Sequence, residues 1–523
     1  MQTWEIIEII SIIFSIPVLA LAYYDLFLII NAFRYPLDME KETPFLHNYP
    51  LVTILIATYN EKYVIEKSLL AIEKSNYPHN RLQVVVADDS TDDTLSVIDS
   101  AISVLNSSGI ESMVSRRPDR ENFKSGALNN AFKYVKGEYV LLLDADSRIQ
   151  EDTVSKGVHT LQTHSDASFV SFRVGHYNRY SSPITMLYAL NQDLWDTQTK
   201  MGSYASNLPY SFQGGFTMLR TDKIREVGLW ANDTITEDAD LSWRLYLHGT
   251  RGIYLSNARI MSEDPSTLET WKKQNARVQQ GWSRLELKLF RKTLQSKETS
   301  WRNKFLLLLI FMSPFSNLSW IITNFLSAMA LVLGWSAPGN SIFSSYIYIT
   351  IITVPLGVFY LSGIYALLVQ KILTLRNLII IPLLSYTTAC MVTRSAIGFV
   401  EGIAGRRGVF FRTPKRGEER TVAETKYYRD IKLERATIIE GVISVVGLIL
   451  GVFALLYGVW VLGLSLIGFS VLTLKSMNLS RLFSREKDAT TIEEARKSIN
   501  NAMEESKTSE NMDLAEPSRT LLK

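Results

Sequence analysis

Residues 139–146 read Tyr139-Val140-Leu141-Leu142-Leu143-Asp144-Ala145-Asp146, and this stretch decides the fold. A run of five large apolar residues cannot be a strand with one wet face; it needs cover on both sides. Two upstream runs have the same form. Val52-Thr53-Ile54-Leu55-Ile56-Ala57 leads into polar Thr58-Tyr59-Asn60-Glu61, and Leu82-Gln83-Val84-Val85-Val86-Ala87 leads into Asp88-Asp89-Ser90. Helical patterns follow, one to about Lys74 and one from about Asp92. This alternation predicts an α/β domain with a mostly parallel sheet covered by helices. In such sheets a ligand lies beyond the carboxyl ends of the strands, where all three runs deliver polar residues.

Asp144 and Asp146 stand one residue apart at such an end. Either they bind a divalent cation, Mg2+ or Mn2+, that fills its shell with phosphate oxygens and water, or they shape a turn and cap a helix. Asp88-Asp89 at a neighbouring end weighs toward the cation, because four carboxylates gathered at one edge repel unless a cation or donor-rich ligand meets them.

Outward from this domain the composition divides. The 523 residues average 47% hydrophobic and 20% charged, but residues 32–300 read as a soluble domain and most of 301–476 is too apolar for one. One cysteine, Cys390, cannot close an internal disulfide, and nothing points to an oxidising compartment. A net charge of +3, dispersed along the chain, gives no footprint for nucleic acid.

A bilayer core takes about 20 apolar residues as helix. Ile9–Ile30 reaches that length and reads as a retained anchor, so residues 1–31 form an N-terminal transmembrane helix. It is too apolar over too great a length, and lacks the basic start, for a signal peptide. Phe305–Trp335, with a kink expected at Pro314, Tyr346–Val369, Ile438–Val459 and Leu462–Leu474 supply about four more spans. The window 377–400 is also apolar, but it holds Arg394 and Pro382, and ten Lys and Arg residues follow in 401–435. Basic loops stay in the cytoplasm. With the domain after the anchor cytoplasmic, 401–435 is inside only if 377–400 is interfacial or re-entrant. Five crossings result, and six if 377–400 spans. The polar tail 477–523 alternates charges and reads as disordered or a solvated helix.

The polar residues occur in an order that resembles the family 2 glycosyltransferases of GT-A fold, in particular the membrane-integrated branch of cellulose, chitin and hyaluronan synthases. The pieces are Thr58-Tyr59-Asn60-Glu61, Asp88-Asp89-Ser90-Thr91-Asp92, Lys124-Ser125-Gly126-Ala127-Leu128-Asn129, Asp144-Ala145-Asp146, Gln213-Gly214-Gly215, Thr236-Glu237-Asp238-Ala239-Asp240-Leu241 and a degenerate Gln274-Asn275-Ala276-Arg277-Val278. Each alone is weak; in order over about residues 50–290 they are specific.

The resemblance implies inverting, metal-dependent transfer from a nucleotide sugar, a UDP-sugar, to a glycan or lipid acceptor at the cytoplasmic face of the cell membrane. It assigns donor contacts to Thr58, Tyr59, Glu61, Asp88, Lys124, Asp144 and Arg277, with Tyr59 stacking on the base. Asp144 and Asp146 become the metal pair, with Mg2+ or Mn2+ as cofactor, and Asp238 the catalytic base. Gln213, Gly214, Gly215, Glu237, Gln274 and Trp282 face the acceptor. Plainer readings stand beside these: Glu237, Asp238 and Asp240 also suit the first turn of a helix over Asp240–His248, and a solvated Lys124 would need no partner.

One departure concerns the acceptor. The synthase branch ends its motif with Trp where this chain has Val278, and Trp282, four residues on, is a candidate replacement on the same helix face. Phe410-Phe411-Arg412-Thr413-Pro414-Lys415 is similar to a substrate-gating segment, or is a polybasic loop at anionic headgroups. Polymer synthesis with translocation, single-sugar transfer to a lipid, and a non-catalytic glycan-export subunit are the three forms of function left open.

Overall fold

The apolar runs become adjacent parallel strands. In the computed structural model, which describes residues 2–35, 46, 48–297, 299–333, 340–406 and 435–484, β1 (Val52–Thr58), β2 (Leu82–Asp88), β3 (Glu111–Arg116) and β4 (Tyr139–Asp144) lie in the order β3-β2-β1-β4. Every β2 residue is buried, as a strand covered on both faces requires. The sheet continues as β7 (Thr217–Arg220), β6 (Ala167–His176), β8 (Arg251–Ser262) and β5 (Arg148–Ile149). In this half β7 runs antiparallel to both β4 and β6, while β6 and β8 are parallel. The sheet is therefore mixed. The sequence pattern reads only its parallel half, because β6 and β7 are separated by long insertions.

Helices α2 (Ile65–Glu73), α3 (Thr94–Ser107), α4 (Phe123–Ala131) and α5 (Thr153–Thr163) follow the strands. One core cluster is made by Ile54, Ile56, Val84, Val86, Leu141 and Leu143; the second takes the alternate residues Leu55, Val85, Val140 and Leu142. The strand period of two thus sorts side chains to opposite faces. Beyond β6 come α6 (Pro183–Leu194), a π-helical stretch over Trp195–Met201, α7 (Gly202–Ala205), α8 (Thr221–Val227), α9 (Glu237–Leu247) and the long α10 (Leu268–Gln295).

Among the described residues five helices are long and apolar enough to cross a membrane: α1 (Thr3–Phe33), α12 (Ser313–Leu333), the Ile352–Val369 part of α13 (Asn340–Val369), α17 (Arg435–Leu456) and the Trp460–Met477 part of α18 (Trp460–Ser484); a bent helix pair over residues 380–403 makes a sixth if it is one span. The expected kink at Pro314 is corrected by a break: α11 (Trp301–Phe311) ends before it, and Pro314 sits in the first turn of α12. There proline loses no needed N–H bond. The window 377–400 becomes α14 (Leu375–Leu378), α15 (Ile380–Ala389) and α16 (Val392–Ile403), with a 42° bend between the last two. Arg394 is buried, 3.2 Å from Glu440 on α17 and 3.5 Å from Glu269 on α10. Lys272 of α10 also meets Glu440, at 2.8 Å. A charge in this apolar window is thus met by countercharges on two other helices, as burial demands. The segment 410–415 and the tail beyond 484 lie outside the described residues.

Glycines let α10 approach α16. A Cβ on Gly398 would strike the carbonyl of Ala276, and one on Gly402 would lie 2.5 Å from the Gln280 carbonyl; small residues are what close helix crossings use. On α10 Glu286 is 8% exposed and, among the described residues, its Oε1 has no hydrogen-bond partner. Burial alone pushes its carboxyl up to about 9. The native state therefore holds a proton that the unfolded chain releases near pH 4.5, and stability falls as pH rises from there toward 9. Glu286→Gln should raise the melting temperature at pH 8 relative to wild type and leave it nearly unchanged at pH 4; equal shifts at both would show that the proton is not the cause.

Candidate active site

The strand register brings the polar ends together. Thr58 pairs with Asp88 across β1 and β2, and Ala57 pairs with Asp144 across β1 and β4. Three chain segments thus deliver side chains to one edge, and three further elements close over it. The N-terminal turn of α4 supplies Lys124, whose Nζ is 2.6 Å from Asp144 Oδ1 and 3.8 Å from Glu237 Oε1. The first turn of α9 supplies Glu237 and Asp238, one turn earlier than the helix start expected at Asp240. The loop before β7 supplies Gln213, Gly214 and Gly215.

Gly215 is dictated by approach: a Cβ there would sit 2.6 Å from Asp144 Oδ2, whereas one on Gly214 would meet Lys124 Nζ at 3.5 Å and Asp238 at 3.6 Å, ordinary contact distances. With no side chain, the Gly214 N–H donates to Asp238 Oδ2 at 3.0 Å, while the Ala239 N–H donates to Oδ1 at 2.8 Å. The carboxylate of Asp238 is thereby oriented by two main-chain groups.

Electrostatics follow from this gathering. Burial alone would lower the Lys124 ammonium, but Asp144, Glu237 and Asp238 outweigh it and hold Lys124 above the ordinary lysine range. Burial, with the charge of Asp238 beside it, pushes Glu237 up to about 7 against the pull of Lys124 and Arg277. Arg277, on α10, is lowered by burial and sustained by Glu237, Asp238 and Asp144. Two cations therefore face three carboxylates, an arrangement suited to an anionic ligand whose charge grows during reaction.

Thr58, Tyr59, Glu61 and Asp88 lie at the neighbouring strand ends. Asp88 is 2% exposed and accepts from the Ser90 N–H at 2.9 Å and from Arg116 Nε at 3.0 Å. Tyr59 carries the Arg120 guanidinium 3.3 Å from its ring centre, so that cation already covers one face of the expected stacking platform. Gln274 lies on α10 one turn before Arg277, with its Oε1 buried and, among the described residues, without a hydrogen-bond partner. Trp282 is placed elsewhere: its ring meets Trp243 edge-on at 6.3 Å, in a cluster with Leu285, Leu289, Leu307 and Phe311. The structure does not bring it to the carboxylates. One turn of helix sufficed to move it from the site side of α10 into the packing between α9 and α11.

The residues present fit a divalent cation. Asp144 is 40% exposed at its side chain and faces the space left by the missing Gly215 Cβ. Asp146 is 6% exposed; its Oδ2 accepts from Ser262 Oγ at 2.8 Å and from the Glu263 N–H at 2.9 Å, which fixes the carboxylate against the end of β8. Among the described residues no three His, Cys, Asp or Glu side chains converge as a complete metal cage. An all-oxygen pair of carboxylates that leaves the rest of the shell to phosphate and water is what Mg2+ or Mn2+ takes at such sites.

Several contributors were invisible in sequence. Arg117 forks onto Asp89 at 2.7 and 2.6 Å and also donates to the carbonyls of Glu121 and Phe123. It thereby holds the loop into α4, where Asn122 and Phe123 have φ of 57° and 47°, a conformation costing on the order of 1–3 kcal/mol per residue. Ser262-Glu263-Asp264, by contrast, carries a visible signal, acidic residues at the end of a strand as at Asp144. Lys200, which reaches Gln213 at 3.0 Å, had no such signal.

Residues 49–281 match the family model described as "Glycosyltransferase like family 2". Over this segment the chain is similar to the family 2 glycosyltransferases. Similar curated proteins include the probable glucomannan 4-beta-mannosyltransferase 1 of Arabidopsis thaliana, 30% identical over 50% of this chain and 48% of that protein. Another is the probable glucomannan 4-beta-mannosyltransferase 7 of Oryza sativa subsp. japonica, 30% identical over 50% of this chain and 46% of that one. The chain spans about half the length of the curated relatives it matches. Among solved structures, the mannosyltransferase PcManGT from Pyrobaculum calidifontis, in complex with GDP-Man and Mn2+, has a TM-score of 0.52 at 19% identity, over 76% of this chain and 100% of that one. That likeness shows a shared fold, the α/β GT-A type, flanked here by the apolar helices.

Proposed function

We propose that this glycosyltransferase domain moves a sugar from a nucleoside diphosphate to a hydroxyl of a glycan or lipid, with inversion, at the cytoplasmic face of the membrane that its apolar helices cross. The observation that carries this reading is the cluster at the strand ends: Lys124 against Asp144 and Glu237, with Asp238 held by the Gly214 N–H. Asp238 takes the acceptor proton as the hydroxyl oxygen attacks the anomeric carbon. Lys124 and Arg277 receive the charge that builds on the departing diphosphate. A divalent cation held by Asp144 and Asp146 would neutralise part of that charge. The glycine pair lets the acceptor come close to the base.

The sequence resemblance points to a UDP-sugar; the mannosyltransferase names of the curated relatives, with the GDP-Man bound by PcManGT, make GDP-mannose the first donor to offer beside it. The test is a donor screen on the purified protein in lipid nanodiscs, with nucleoside diphosphate release and product size as readouts. Release should need a divalent cation and stop with a chelator. A ladder of products supports polymer synthesis, whereas a single addition to lipid supports the reading that Val278 favours. Binding of nucleotide without release from any donor would overturn the transferase reading in favour of a non-catalytic export subunit.

A further inference from the structure

Between α6 and α7 the helix is wound as a π-helix over Trp195–Met201, a form found mostly in single turns and often at functional sites. It places two ionisable groups in a buried setting. Lys200 is fully buried, its Nζ 2.8 Å from Asp196 Oδ1, and Asp196 is 1% exposed and accepts the Val174 N–H of β6 at 2.7 Å. Asp196 is thus tied to the sheet and Lys200 is tied to Asp196. The remaining reach of the ammonium goes to one group, the Gln213 side-chain oxygen at 3.0 Å. The other end of that amide donates to Gln192 Oε1 at 3.3 Å, and Gln192 donates to Tyr188 OH at 2.9 Å.

The π-helix is anchored on its far side as well. Gln198 accepts from Ser362 Oγ of α13 at 2.7 Å, and Gly202 packs its Cα against the Leu28 carbonyl of α1, where a Cβ would lie 2.5 Å away. The element bearing Lys200 is thereby pinned between the sheet and two of the apolar helices.

We propose that Lys200 is a positioning residue for the base: by gripping Gln213 it fixes the backbone that aims the Gly214 N–H at Asp238. This rests on the transferase reading above. Lys200 acts through Gln213, whose clamped amide removes the freedom that two adjacent glycines would otherwise give the loop. A charged donor on a neutral amide in a buried setting is a strong contact, and Asp196 keeps the ammonium from being an isolated buried charge.

The test compares wild type, Lys200→Met and the doubly neutral Asp196→Asn/Lys200→Met, which leaves no unpaired buried charge. Donor KM, kcat per folded molecule and hydrogen exchange over residues 211–217 are measured on the full chain in nanodiscs. The expected result is a kcat about 10- to 100-fold lower, the scale of a small misplacement of a reacting group, with donor KM within about two-fold and faster exchange at Gly214 in both variants. A kcat per folded molecule near wild type in the double variant, or unchanged exchange at Gly214, overturns the proposal. If wild type transfers no sugar from any donor, the functional reading fails, and exchange at Gly214 alone then decides whether Lys200 holds the loop.

Discussion

Asp238→Asn should lower the rate of sugar transfer by about 10²- to 10⁴-fold, the contribution of a positioned general base, while nucleotide affinity stays near wild type. Asparagine keeps the shape and can still accept from one of the two backbone donors, Gly214 and Ala239. What it loses is the capacity to take a proton, and it sets an amide N–H against one main-chain N–H. The measurement is turnover with saturating donor beside calorimetric titration with the nucleoside diphosphate. Wild-type turnover would remove Asp238 as the base and turn attention to Glu237, which burial holds up to about 7.

Lys124→Met should act on the other half of the reaction. The ammonium lies 2.6 Å from Asp144 and 3.8 Å from Glu237, and Asp238 also sustains its charge. Without it Arg277 alone faces the three carboxylates, and an approaching diphosphate meets net repulsion. Hydrogen bonds to charged groups are worth about 1.5–3 kcal/mol, so affinity for the donor should fall roughly 10- to 100-fold, and kcat should fall with it because the same cation meets the leaving charge. Lys124→Arg should recover part of both. An unchanged donor KM in Lys124→Met would mean that the lysine serves the packing of carboxylates and not the ligand.

The two variants separate the roles: one strikes the proton, the other the phosphate. Their contrast also bears on Glu237, which loses its nearest cation in Lys124→Met and should then hold its proton to higher pH. A transfer rate whose alkaline rise moves upward in that variant would show the coupling directly.

How much of this could be read in advance follows from where each interaction lives. The three parallel strands were legible because a strand buried on both faces must be apolar throughout, as Leu141, Leu142 and Leu143 are. Strands β6 and β7 pair antiparallel within the same sheet, and nothing local marks a strand as joining a sheet far from its neighbours in sequence. The site motifs were legible in part for a similar reason. Asp144 ends an apolar strand, where a polar residue stands out, whereas Lys124 and Asp238 follow polar stretches and are singled out only by the resemblance to the family 2 glycosyltransferases. Nothing local fixes what Trp282 meets: on α10, Gly281 packs against Thr236 before α9 and Trp282 meets Trp243, while Ala276 and Gln280 of the same turns meet Gly398 and Gly402 of α16.

By itself the chain's order of residues determined the parallel half of the sheet, the edge where chemistry gathers and the helices apolar enough to cross a membrane, since each depends on neighbours within a few positions. Only the tertiary structure decided which charges meet: Lys124 with Asp144, Arg117 with Asp89, Lys200 with Gln213, and Arg394 and Lys272 with Glu440. A buried charge must find a countercharge or a dipole wherever the fold brings one within reach, and that reach is set by the packing of distant elements, which no local pattern encodes.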